Sequence, residues 1–223
     1  MPRLHLLRVF CGDDGSGGNP LAVFLDGGEV PRCERQAVAA DLGLSETVFV
    51  DDASSGELQI FTPAVELGFA GHPTVGTAWL LRRERDPVPA LRPPAGELGV
   101  RYRDESAFVT ARPEWAPEFE HLRLASPSEV EALDGPPGGH DAIAPWAWLD
   151  EDAGLVRTRV FCERYGIFED EATGAAAVLL SARLRRSLDV RQGRASRILA
   201  RPLGERVEVG GRVVVDEVRD YPL

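Results

Sequence analysis

Three short stretches carry the side chains best suited to proton chemistry. "GFAGHPTVGT" (68–77) places His72 between a glycine and a proline, just ahead of an apolar run that reads as helix. "FEDEATGAAA" (168–177) places Asp170 and Thr173 ahead of a second run of small residues, and "LSETVFV" (44–50) contributes Glu46. Helix N-termini carry unpaired N–H groups and roughly half a positive charge. Two of them facing one cleft would hold a small carboxylate, and Gly71, Gly76 and Gly174 would let it approach the backbone closely. An imidazole and carboxylates beside a bound acid can then serve as general acids and bases. Plainer readings exist for each residue. Thr173 or Asp170 could simply cap its own helix, a lone histidine is commonly structural, and Glu46 is one of 36 acidic residues, a class that is mostly solvated. Spacing alone leaves both readings open.

Composition narrows the chemistry. The 223 residues suffice for one large domain or two small ones with a real core. A formal charge of -11 repels phosphate backbones, so no nucleic-acid partner is expected. No apolar stretch approaches the ~20 residues needed to cross a bilayer, and the opening run is too short for a secretory leader. The three cysteines, Cys11, Cys33 and Cys162, lack CxxC spacing. They read as packing residues in a cytoplasmic protein, with neither a disulfide framework nor a zinc site expected. All 25 basic residues are arginine. Without lysine there can be no Schiff base to pyridoxal phosphate and no P-loop.

The elements that would position these groups follow from pattern. Residues 4–10 and 21–26 read as strands around the turn-rich "CGDDGSGGNP", which holds the chain's one asparagine, Asn19. Pro31 can open a helix closed by Gly43, leaving Ser45 and Glu46 on a helix-to-strand junction. A strand ends at Pro63, and a helix runs from Pro73, at its first position, to about Arg83. Residues 98–111 read as a hairpin, and "RPEWAPEFE" suggests a boundary near residue 112. Beyond it come two strands around an acidic turn, a helix through 171–186, and closing strands with a Gly210–Gly211 hairpin. The halves echo each other at an offset of 99: Phe69, Thr74, Ala78, Leu80 and Leu81 match Phe168, Thr173, Ala177, Leu179 and Leu180.

Taken in order, "GNPLAVF" (18–24), "LSETVFV" (44–50), "FTPAVELGFAGHPTVGTA" (61–78) and "EDEATGAAA" (169–177) resemble the phenazine biosynthesis isomerase-like (PhzF-like) family. The resemblance implies an α+β, diaminopimelate epimerase-like fold. In that fold two pseudo-symmetric lobes, here 1–112 and 113–223, each wrap a curved sheet around a central helix. It further implies a homodimer, catalysis without metal or organic cofactor, and isomerisation of a small carboxylate-bearing compound of the dihydro-hydroxyanthranilate kind. Residue by residue, the catalytic base falls on Glu46, with His72 and Asp170 in support. Gly71, Pro73, Thr74, Thr173, Gly174 and Ala175 would contact the substrate. Two positions depart from the family pattern: Glu171 stands where proline is usual, and Ala175 where serine is usual. The missing hydroxyl keeps a non-catalytic acid-binding protein in view, beside a racemase or epimerase on the same fold.

Overall fold

"RLHLLRVFC" buries Leu4, Leu7, Val9, Phe10 and Cys11, a nearly continuous apolar run that suits a strand covered on both faces, and it forms β1 (Arg3–Cys11). The computed structural model describes all 223 residues. In chain order β2 (Asn19–Phe24), α1 (Arg35–Leu42), β3 (Thr47–Asp52), β4 (Glu57–Phe61) and β5 (Glu66–Leu67) lead to the helix α2 (Gly71–Glu84). Next come β6 (Ala90–Leu91), β7 (Leu98–Arg103) and β8 (Ser106–Ala111). The second half comprises β9 (Glu120–Arg123), α3 (Pro127–Glu131), β10 (Ile143–Asp150), β11 (Leu155–Thr158), β12 (Val160–Cys162) and β13 (Ile167–Asp170). It ends with α4 (Gly174–Leu184), β14 (Leu188–Gln192), β15 (Ser196–Leu203) and β16 (Arg206–Asp220).

All sixteen strands join one mixed sheet. Its main path runs β13-β12-β10-β11-β14-β15-β16-β1-β2-β3-β4-β5, with β8 also pairing with β16. The fold is α+β. α2 packs on β1, β2, β8 and β16, whereas α4 packs on β14, β15 and β16. Residues 71–81 of α2 are all buried, so this helix is enclosed on every side rather than amphipathic. Small side chains allow the enclosure. A Cβ at Gly76 would come within 2.5 Å of Leu21 Cδ2 and 2.7 Å of Val9 Cγ2. The run of alanines in α4 serves the same close approach. No helix is long and apolar enough to cross a membrane.

Several expectations need correction. Gly210 and Gly211 are not a hairpin turn but lie within β16; the turn falls earlier, at Gly204, whose φ is 64°. A Cβ on Gly210 would collide with the Ala107 carbonyl oxygen and the Phe108 ring, so close strand packing, not a turn, requires glycine there. α2 begins at Gly71, which puts Pro73 third in the helix; its missing N–H is still one of the unpaired first-turn donors. α4 begins at Gly174, so Asp170 ends a strand instead of opening a helix. The helix starts therefore correspond as Gly71 with Gly174. The sequence match, which aligns Thr74 with Thr173, is about one helical turn out of step. Cys33 is exposed, unlike the buried Cys11 and Cys162.

Candidate active site

Gly43 ends α1 in the left-handed conformation, with φ 61°, and turns the chain so that Ser45 and Glu46 precede β3. Glu46 thereby reaches the start of α2. Its Oε2 lies 3.3 Å from His72 Nε2, yet neither buried atom makes a hydrogen bond. Two unpartnered polar atoms facing each other inside a protein are costly. Burial pushes the Glu46 carboxyl up to about 7, although the Ser45 hydroxyl pulls it back. Burial likewise depresses His72, against the charge of Asp170 and the Pro20 carbonyl, so its imidazole is neutral at physiological pH.

Asp170, delivered by the end of β13, is raised by burial; His72 and a hydrogen bond from Thr173 oppose that rise. Its Oδ1 accepts from Asn19 Nδ2 at 2.7 Å and its Oδ2 from Thr173 Oγ1 at 2.6 Å. Asn19 Oδ1 in turn accepts from Ser45 Oγ at 3.2 Å, so one amide ties the Glu46 loop to the Asp170 strand. Because the Thr173 hydroxyl is directed at Asp170, it does not cap α4, and α2 follows Ala70, which has no capping group. Neither helix has a side-chain N-cap. The capping alternative is thus absent, and first-turn N–H groups of both helices remain available for an anion.

These groups line a cavity of about 320 Å³. Glu46, Gly71, His72, Asp170, Thr173, Gly174 and Ala175 all border it. Pro73 and Thr74 do not: Thr74 Oγ1 turns back to donate to the Ala70 and Gly71 carbonyls at 2.9 Å. The polar end faces an apolar wall of Val65, Leu67, Phe119, Tyr165 and Ile167. The Phe119 and Tyr165 rings lie 5.8 Å apart. Cys162 also borders the cavity; burial and the charges of Asp170 and Glu46 push its thiol up to about 12. It stays protonated and is unsuited to act as a base on carbon. Two roomier clefts lack both Glu46 and His72; their linings are mostly charged, and some of these side chains are ion-paired, such as Arg159 with Glu169 and Arg164 with Asp141. No three His, Cys, Asp or Glu side chains are grouped so as to hold a metal ion.

Asn19, Cys162, Phe119 and Tyr165 were not singled out as site residues from sequence. Asn19 offered a signal, being the one asparagine and sitting before a proline in a glycine-rich loop. The others offered none, because they meet Glu46 and His72, far from them in sequence, only around the folded cavity.

Residues 8–127 match the family model described as phenazine biosynthesis-like protein, PhzC-PhzF. The chain is 30% identical over 232 residues to the trans-2,3-dihydro-3-hydroxyanthranilate isomerase of Pseudomonas fluorescens, covering 86% of this chain and 82% of that protein. The Pseudomonas aeruginosa isomerase of the same name is 28% identical over 234 residues, with the same coverage. In structure the chain is similar to a phenazine biosynthesis protein of the PhzF family from Enterococcus faecalis, with a TM-score of 0.76 and 23% identity, covering 100% of this chain and 99% of the other. It is also similar to a hydroxyproline epimerase from Agrobacterium vitis, with a TM-score of 0.64 and 13% identity, covering 98% and 91%. That second likeness places the architecture among the diaminopimelate epimerase-like folds. By family model, sequence and fold together, this chain belongs to the phenazine biosynthesis-like (PhzC-PhzF) family.

Proposed function

We propose that the protein is a cofactor-independent isomerase that relocates a proton within a small carboxylate-bearing metabolite, with Glu46 as the base. The observation that carries this reading is the unpartnered pair of Glu46 Oε2 and His72 Nε2, 3.3 Å apart at the cavity's polar end. A carboxyl held near 7 is divided between its two forms at neutral pH, which suits a group that must both take and return a proton. The substrate's carboxylate sits against the first-turn N–H groups of α2 and α4. Glu46 removes a proton from carbon, and the C–H electron pair moves into the adjoining π-system. The neutral Glu46 then delivers the same proton to another carbon on the same face. Nothing is oxidised or reduced, and one base suffices. His72, its other nitrogen turned to the Pro20 carbonyl, presents Nε2 as an acceptor beside Glu46, and the charge of Asp170 stabilises the imidazole when it takes up a proton. The apolar wall takes the remainder of a ring-sized substrate. The relatives' compound, trans-2,3-dihydro-3-hydroxyanthranilate, is the first to try, followed by other small cyclic and aromatic amino acids. A homodimer, implied by the family resemblance, belongs to the same proposal and is tested by sedimentation.

The test is NMR in deuterated water. Wild-type protein incorporates deuterium into its substrate or relocates the label, whereas Glu46→Gln binds the compound without exchange. Exchange by Glu46→Gln at the wild-type rate would sink the assignment of the base. One observation favours a second reading: Ala175 borders the cavity with no hydroxyl to offer. Stoichiometric binding by the wild type without exchange would establish an acid-binding protein instead.

A further inference from the structure

Gln192 ends β14, is 1% exposed, and does not border the cavity. Its amide is fixed by its neighbours. Oε1 accepts from the Thr173 N–H at 3.1 Å, while Nε2 donates to the Asp170 carbonyl at 2.8 Å and to Thr173 Oγ1 at 2.9 Å. A backbone N–H can only donate and a carbonyl only accept, so the amide cannot be turned over. Since Thr173 Oγ1 already accepts from Gln192, its own proton goes to the one acceptor in reach, Asp170 Oδ2, at 2.6 Å. The other side of the carboxyl is locked in the same sense. Asn19 Nδ2 faces two acceptors, Asp170 Oδ1 and the Ala172 carbonyl, so it too can only donate.

We infer that Gln192 is a positioning residue that holds the Thr173 hydroxyl as a donor to Asp170, so that Asp170 is kept as a carboxylate opposite His72. The inference rests on placing Asp170 in the reacting site, but it concerns the direction of hydrogen bonds behind that site. If Asp170 took up a proton, neither neighbour could turn to accept it, because both are committed as donors. Burial alone favours neutral Asp170, and this donor lock opposes that preference. The charged and titratable groups around Asp170 are His72 from α2, Glu46 from the loop before β3 and Cys162 from β12. Across the outer cleft stand Arg159 with Glu169, Glu171 and Arg194.

The test is the pH titration of the Asp170 carboxyl, read by carbon-13 NMR on ligand-free, aspartate-labelled protein, so that turnover plays no part. Gln192→Met keeps the bulk and removes the polarity. The Thr173 hydroxyl is then free to turn, and Asp170 binds its proton about tenfold more tightly, the scale of one hydrogen bond to a charged group. In a Thr173→Val background the same Gln192→Met change leaves the titration where Thr173→Val alone puts it, because there is no hydroxyl left to turn. An equal shift in both backgrounds, or none in either, overturns the inference. Should Gln192→Met not fold, Gln192→Glu is compared in the same two backgrounds: its ionised carboxylate recruits the Thr173 proton, so its upward shift of Asp170 must be larger with threonine present than with valine. Equal shifts again overturn the inference. Loss of deuterium exchange in Glu46→Gln is read separately, so a failure of the proposed reaction and a failure of this lock are distinguishable.

Discussion

Gly71 and Gly174 begin the two central helices face to face: a Cβ on Gly71 would lie 3.0 Å from Gly174 Cα and 3.3 Å from the Ala175 nitrogen. On the other side, a Cβ on Gly174 would stand 3.1 Å from the Phe10 ring. Phe10 is fully buried, with a backbone φ of 68°, and has little freedom to withdraw. Gly174→Ala therefore forces the helix starts apart. It is expected to destabilise the fold by about 1–3 kcal/mol in urea unfolding and to weaken acid binding. An alanine variant as stable as wild type, with unchanged affinity, would contradict this account.

Activity should depend on the ionisation of Glu46. With its carboxyl pushed up to about 7 by burial, the basic form gains population as pH rises through that value. The exchange rate at low substrate concentration should climb tenfold per pH unit below the midpoint and level off above it. A midpoint near 4.5, the ordinary glutamate value, would place the base elsewhere.

The same shift has a thermodynamic counterpart. A carboxyl raised in the folded state favours folding fully below its unfolded value of 4.5, and that contribution is lost as pH rises through about 7. Glu46→Gln carries no such loss. Relative to wild type it should gain stability between pH 4.5 and 8, by an order of magnitude of 3 kcal/mol at the upper end. Unfolding free energies of both proteins measured at pH 4 and pH 8 check the sign.

Ala175 borders the cavity and is 6% exposed. Ala175→Ser adds a hydroxyl at the start of α4, where it can meet the bound acid. An increase of about tenfold in turnover is expected, the value of one hydrogen bond of ~1.4 kcal/mol. Steady-state rates with the same substrate measure it.

Away from the cavity, Arg35 is 1% exposed, donates to the Gly27 carbonyl at 2.8 Å, and pairs with Asp51 at 2.6 Å. Its guanidinium stacks on Phe49, 5.2 Å from the ring centroid. Arg35→Met leaves Asp51 with only the exposed Arg32 opposite it and the Gly27 carbonyl without its donor, and should cost about 1–3 kcal/mol. Adding Asp51→Asn should recover part of that loss, as a double-mutant cycle in denaturant would reveal.

How much was legible in the sequence depended on the range of the interactions involved. The glycine that closes α1 acts locally and could be read directly, as could the small residues of α2 and α4, although what crowds Gly76 comes from β1 and β2. Glu46 entered through motif order, since one acid among 36 has no distinguishing pattern of its own. The glycines of β16 misled because a Gly-Gly pair reads as a turn, whereas their cause is the approach of Phe10, Ala107 and Phe108 from distant strands. Gln192 was invisible for the same reason: its partners, Asp170 and Thr173, reach it only after α4 has returned the chain to the sheet.

The long strand β16 pairs with β1 on one side and with β15 and β8 on the other. It follows that the two halves are not autonomous folding units. A fragment cut near residue 112 would expose the edges of both β1 and β8, inviting aggregation in place of folding. β2 covers one edge of β1 at once, but the other edge is closed only by a strand roughly two hundred residues further along the chain. A pairing of that range raises the contact order of the sheet, and the cost of closing so long a loop slows its assembly.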